Sequence, residues 1–179
     1  VLFRSVQAAY DANNLYVRLT FKAPAGGADH SDKDNEVKAT MMFPNDKVPL
    51  ADQAGCWSAC HEDSKGMPKG KEKTKYVSAG AMDLMQWKSS GKSADGFVAD
   101  KRNMEGGKAG ATAEGAKAGD TYTVTFTRKL AGNAVLAAGK AVPFGIAIHA
   151  DNAAGRFHHV SFGHTIGLGA DGDVKAAKQ

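Results

Sequence analysis

Only two cysteines occur in the 179 residues, Cys56 and Cys60, and His61 follows the second directly. Thiolates are soft nucleophiles and metal ligands, and imidazole is a second strong donor. The segment Cys56-Trp57-Ser58-Ala59-Cys60-His61 is therefore where this chain has chemistry to offer. A short-loop disulfide, a pair of free core cysteines and a zinc site using Cys56, Cys60 and a histidine are three uses of these atoms. Zinc is awkward, because the side chains of the sequence neighbours Cys60 and His61 diverge and no second close cysteine pair exists. A disulfide leaves His61 unexplained. Cysteine arithmetic points to one local site rather than a disulfide framework.

The elements that must position this site read as an all-β chain. Hydrophobic residues make up 42% of the sequence, enough for a single domain over residues 1–179 to bury its own core. The 21 glycines, many in polar stretches between apolar runs, predict long surface loops. Asp11 to Asn14 carries a turn signal, and the alternation that follows to Phe21 predicts a hairpin. Residues 23–36 read as a solvated loop, Val37 to Phe43 as a short strand, and Pro44 as its end. Residues 44–80 lack a core pattern and read as an inserted functional loop that carries the cysteines. Ala81 to Trp87 reads as a strand, with a short helix as the alternative, and Lys88 to Ala118 as irregular and mobile. Asp120 to Arg128 is the cleanest strand, alternating Tyr122, Val124 and Phe126 with threonines. Ala141 to Ala150 and Arg156 to Phe162, joined through Asp151 to Gly155, predict a C-terminal hairpin. The tail after Asp171 reads as frayed. Five or more short strands and few short helices favour an antiparallel β-sandwich with long loops.

Several function classes are set aside on composition. The 23 basic residues nearly balance the 19 acidic ones, too mild a bias for nucleic acid. No apolar run approaches the roughly 18 to 20 residues of a membrane helix. Any anchor therefore lies outside these residues, in a fused segment or a membrane-bound partner. Val1 to Ser5 lacks the pattern of a signal peptide, while Val6 to Phe21 already reads as strand, which suits a start inside a larger precursor. No phosphate loop, locally supported Ser-His-Asp pattern or zinc-protease helix is present, so the chain reads as a non-enzyme.

The cysteine segment resembles the haem-attachment sequence of c-type cytochromes, in which two thiols add across the haem vinyl groups and the adjacent histidine ligates iron. Three residues separate the cysteines here instead of the usual two, a variant known in the wider family. Positions i and i+4 of a helical turn still share a face and reach one porphyrin edge. Over most of its length the chain is similar to the haem-binding domain shared by the γ subunits of ethylbenzene and dimethyl sulfide dehydrogenases and by related c-type cytochromes. The carriers are Ala9-Tyr10-Asp11 leading to Leu15-Tyr16-Val17, the cysteine motif and Met82 to Lys88. Tyr122-Thr123-Val124 with Arg128-Lys129-Leu130, and Arg156 to Ser161, complete the set.

The resemblance implies a β-sandwich holding haem between a mid-chain segment and the C-terminal hairpin. In the family's non-covalent members a methionine and a lysine ligate iron, and the lysine matches His158 here. With His61 as one axial ligand, His158 is the leading second ligand. His159 follows, then Met82 near the family's methionine, with His149 and His164 behind. The family often has an aromatic at Met85 and a histidine at Gln86, so these departures argue against ligation from position 86. His158 and His159 are strand neighbours that point to opposite faces, so at most one binds iron. Each also has a plain reading: Met82 and Met85 as core, and Trp57 and Trp87 as core packing or as walls on the porphyrin.

A haem with two axial ligands has no open iron position, so the resemblance implies a periplasmic monohaem carrier of single electrons between redox partners. Bis-histidine ligation would favour a lower potential than histidine with methionine. The alternative is a haem-based sensor or small-ligand-binding module. A weaker third reading is a zinc- or disulfide-stabilised β-sandwich binding carbohydrate or protein. Lys65, Lys69, Lys71, Lys73 and Lys75 could steer acidic redox partners or could simply line a solvated loop. Covalent haem attachment takes place outside the cytoplasmic membrane, which points to the periplasm or beyond.

Overall fold

A computed structural model describes residues 3–22, 34–48, 81–99, 102–149 and 158–179. The described residues form twelve strands and no helix, so the expected all-β class holds. The strands are β1 (Phe3–Tyr10), β2 (Asn14–Lys22), β3 (Lys38–Pro44), β4 (Met82–Lys88), β5 (Ser93–Val98) and β6 (Arg102–Asn103). They continue as β7 (Thr112–Ala118), β8 (Thr121–Lys129), β9 (Lys140–His149), β10 (His158–Val160), β11 (His164–Leu168) and β12 (Val174–Lys178). They join edge to edge in the order β6-β5-β4-β3-β9-β11-β12-β1-β2-β8-β7, with β10 also pairing β9. The sheet curls far enough that β7, at one end of this order, lies against β4 and β5 near the other.

The first hairpin follows from one carboxylate. Asp11 Oδ1 accepts the backbone N–H groups of Asn13 and Asn14, each at 2.7 Å, and Oδ2 accepts the Tyr16 hydroxyl at 2.7 Å. An aspartate that satisfies the turn's own amides stabilises the reversal. Leu15, Val17, Leu19 and Phe21 then fall on one face of β2, all buried, and β8 pairs with β2 residue for residue to add Tyr122, Val124 and Phe126. These side chains, with Met41, Phe43, Met85, Trp87, Phe144, Ile146 and Ile148 from the other side of the curl, form the main core.

The C-terminal hairpin is present as β9 and β10, with His149 opposite His158. At its far end the Ser161 hydroxyl accepts the Ile146 N–H at 2.9 Å while the Ser161 N–H donates to Ile146 O at 2.8 Å. The side-chain oxygen takes a ladder position, and the chain leaves β10 and returns as β11 on the same edge of β9.

Three sequence expectations are corrected. The sheet is mixed rather than purely antiparallel, because β12 runs parallel to both β1 and β11. The segment after Asp171 is therefore a paired strand and not a frayed tail, its mostly exposed side chains hiding its role in the sequence pattern. Lys88 to Ala118 is not irregular: it holds β5, β6 and β7, and β7 is an edge strand whose face is largely solvent-exposed. The loop over residues 44–80 lies outside the described residues except for residues 44–48.

Ionised Asp11 makes all three of its bonds in the folded hairpin, and the amide of Asn13 leads in drawing its pKa from 3.8 down to about 2. A depressed carboxylate adds stability above its unfolded value and loses it as pH falls through the folded one. Denaturant titrations between pH 5 and pH 2 should show stability declining from about pH 4 downward, with a shallower decline in Asp11→Ala. Identical slopes in the two proteins would contradict this role.

Candidate functional site

β3 and β4 are buried along nearly their whole length on both faces. One face closes the main core, and the other builds a separate platform together with β5 and β9. Directly opposed residues on neighbouring strands share a face, so the register sorts the platform into rows. Pro44, Met82 and Val98 form the first row, and Gly145, Met42, Leu84 and Gly96 the second. Val160, Ala147, Thr40, Gln86 and Ala94 align as the third, and the His158 backbone position, His149, Lys38 and Lys88 as the fourth.

The rows grade from apolar to basic. Met42, Val48, Met82, Leu84 and Val98, with Met104 against them, form an apolar cluster distinct from the main core. Gly145, Gly96, Ala147 and Ala94 keep the middle of the floor low, which suits a broad flat group lying on it. Gln86 Nε2 donates to Thr40 Oγ1 at 3.3 Å across the third row, both side chains buried. Lys38 and His149 in the fourth row are each only 9% exposed, an unusual depth for a lysine. From the first row to the fourth, six residues of strand cover about 20 Å.

The chain enters and leaves the 49–80 segment at the apolar end. Asn45 and Ala81, just beyond β3 and before β4, are joined by a 2.9 Å bond from Asn45 N–H to Ala81 O. Cys56, Trp57, Cys60 and His61 themselves lie outside the described residues, as do Lys65, Lys69, Lys71, Lys73 and Lys75.

The remaining candidates separate clearly. Met82 is fully buried in the apolar cluster. His159 is exposed on β10, opposite Ile148, a residue of the main core, and partial desolvation lowers its pKa. His164 is exposed on β11, 3.8 Å from the Asp173 carboxylate. Trp87 lines the main core rather than the platform: its ring meets Tyr122 edge-on at 6.0 Å, and a Cβ added to Gly115 would come within 2.5 Å of it. β7 thus approaches the indole closely because position 115 has no side chain.

Behind the platform, Asp83 points from β4 into the core between Met82 and Leu84. Its Oδ2 lies 3.0 Å from Arg128 Nη2, and both side chains are essentially inaccessible. Asp83 also accepts the N–H and side-chain amide of Asn133 at 3.0 and 2.9 Å and the Ala134 N–H at 2.9 Å. Burial lowers the Arg128 pKa from its ordinary value, and Asp83 opposes that shift. Gly132 leaves room for the pair, since a Cβ there would meet both. Sequence reading missed this pair, and missed Lys38 and Lys88. Its only trace of Lys38 was a charge at the head of an apolar strand. Removing one partner of a buried pair strands the other charge, at a cost of about 3 to 5 kcal/mol. Asp83→Ala should lose stability on that scale in urea titrations, well beyond an exposed Lys175→Ala control, and a loss no larger than the control's would contradict the assignment.

Comparison with known proteins shows the family. The family described as ethylbenzene dehydrogenase matches residues 5–119. Cytochrome c-552 of Stutzerimonas stutzeri is 50% identical over 97% of this chain and 64% of its own length. Cytochrome c-551 of Rhodocyclus tenuis is 52% identical over 98% of this chain and 68% of its own. The chain thus spans about two thirds of each of these relatives.

Proposed function

The chain belongs to the ethylbenzene dehydrogenase family, and as a relative of cytochromes c-552 and c-551 at about half identity it is, we propose, a carrier of single electrons on one covalently bound haem c. It works as a carrier and not as an enzyme. Residues 1–179 act as one haem-binding domain, with residues 44–80 as the attachment loop.

In this reading Cys56 and Cys60 would hold the haem through two thioether bonds, and His61 and His158 would be the residues that ligate its iron. The backbone position of His158 beside His149 at the edge of the platform supports it over His159, which is exposed and out of register with that face. Met82 sits at the opposite corner, about 20 Å away along the strands alone, packed among apolar neighbours.

The platform carries the reading among the described residues: a broad, low, buried floor outside the main core, apolar where the cysteine-bearing segment enters. When bound, the haem supplies a reversible one-electron couple. The chain's own side chains do the rest. His61 and His158 would hold the iron and would leave no room on it for a small molecule, while Met42, Leu84 and Ala147, with Trp57, would wall off water. Lys65, Lys69, Lys71, Lys73 and Lys75 favour approach of acidic redox partners. Covalent attachment places the protein outside the cytoplasmic membrane. Among the described residues no helix is long and apolar enough to cross one.

Visible spectra of the reduced protein with and without carbon monoxide test the carrier reading. Unchanged bands, with a Soret shift appearing on carbon monoxide addition only in His158→Ala, are expected. A shifted Soret band in the parent protein would overturn the carrier reading in favour of a sensor with a dissociable ligand.

A further inference from the structure

We propose that Tyr122 is a redox-active tyrosine: a strong one-electron oxidant draws an electron from it through Trp87, while its phenolic proton passes to Glu36 and leaves a neutral tyrosyl radical. The chemistry goes beyond the carrier reading and needs no haem. That reading supplies only its use, as a sink for the oxidising radicals that peroxide yields near a redox centre.

The proton step is built into the fold. The Tyr122 hydroxyl donates to Glu36 Oε2 at 2.6 Å, the short bond expected between a phenol and a charged carboxylate. A phenol that loses an electron becomes a very strong acid, so a base within hydrogen-bond reach takes its proton as the electron leaves. The bond from Tyr122, and then Lys117 at 2.9 and 3.0 Å, hold Glu36 below its ordinary pKa, so the carboxylate is charged and able to accept at neutral pH. Its side chain is 49% exposed, which lets the proton go on to water. The oxidant gains one electron, Glu36 gains one proton, and Tyr122 is left neutral.

The electron step needs a partner ring, and Trp87 is one. It meets Tyr122 edge-on at 6.0 Å between centroids, inside the range of about 4.5 to 7 Å for aromatic pairs in contact. On β4 it stands between Gln86 and Lys88, which belong to the platform, while its own ring lies in the main core. The pair thus joins the strand that floors the platform to the Glu36 surface. Among the described residues the buried Trp87 Nε1 has no hydrogen-bond acceptor, and Gly115 of β7 lies against that edge of the indole. An unpaired buried N–H calls for an explanation. Its consequence here is direction. An indole that loses an electron cannot pass its N–H proton to a neighbour, so the deficit moves on to Tyr122, where a base stands ready. Phe21, stacked on Tyr122 at 5.7 Å, is far harder to oxidise and does not carry it further.

Tyr16 is the natural control. Its hydroxyl also meets a carboxylate, Asp11 Oδ2 at 2.7 Å, but Asp11 holds two turn amides as well, and a proton there would weaken the turn.

The test oxidises the full chain, purified from a host that matures cytochromes c, by flash-quench with a ruthenium tris-bipyridyl complex. Its trivalent form takes one electron and returns to the divalent form. Electron paramagnetic resonance should show a neutral tyrosyl radical that falls several-fold in Tyr122→Phe and persists in Tyr16→Phe. Trp87→Phe should slow its appearance. In Glu36→Gln, an exposed and conservative change, its rate of formation should become dependent on the concentration of buffer base, while the parent rate does not. An undiminished signal in Tyr122→Phe, an unchanged rate in Trp87→Phe, or equal buffer dependence in parent and Glu36→Gln would overturn the proposal and leave the carrier reading standing. A Tyr122 radical in protein that carries no haem would uphold the proposal and overturn the carrier reading.

Discussion

Everything in this molecule depends on β3 and β4 being buried on both faces. A strand normally gives one face to a core and the other to water, and its sequence alternates accordingly. Here Met41, Phe43, Met85 and Trp87 close the main core while Met42, Met82 and Leu84 turn away from it into a second apolar layer. A second buried apolar layer on the outer side of a curled sheet stabilises the fold and can also flank a large flat group. The Asp83–Arg128 pair, on the opposite face of β4 from Met82 and Leu84, ties β4 to β8 and to the 131–134 turn and so fixes the height of that floor.

Much of this was legible in the sequence because the signals were local. Asp11 announces its turn through its own side chain, and Tyr122, Val124 and Phe126 alternate because β8 has one core face and one lined by threonines. The pairing of Cys56 and Cys60 with His61 is also a contiguous signal, and these residues lie outside the described ones. What the sequence hid depends on partners far along the chain. β7 is built from Thr112 to Ala118, with a single buried position, and so has no period to detect. β12 is a strand only because β1 and β11 flank it. The run Lys88, Lys38 and His149 is scattered over more than a hundred residues and becomes a row only through register.

The same register gives the described candidates their places. His159 stands opposite Ile148 of the main core, and six residues along β4 put Met82 and Lys88 at opposite ends of the platform. Trp87 keeps its place in the core through Gly115, whose missing side chain lets β7 come down onto the indole. A carrier needs this division of labour. One face supplies rigidity, and the other supplies a dry, graded surface on which a redox group can sit with little rearrangement as its charge changes.

The most direct measurement is the intact mass of the protein purified from cells able to attach haem covalently. A mass exceeding that of the amino acids by one haem, shifting back to the bare chain when Cys56 and Cys60 are both replaced by serine, is the expected result. A parent protein that weighs only what its 179 residues weigh would contradict the central claim.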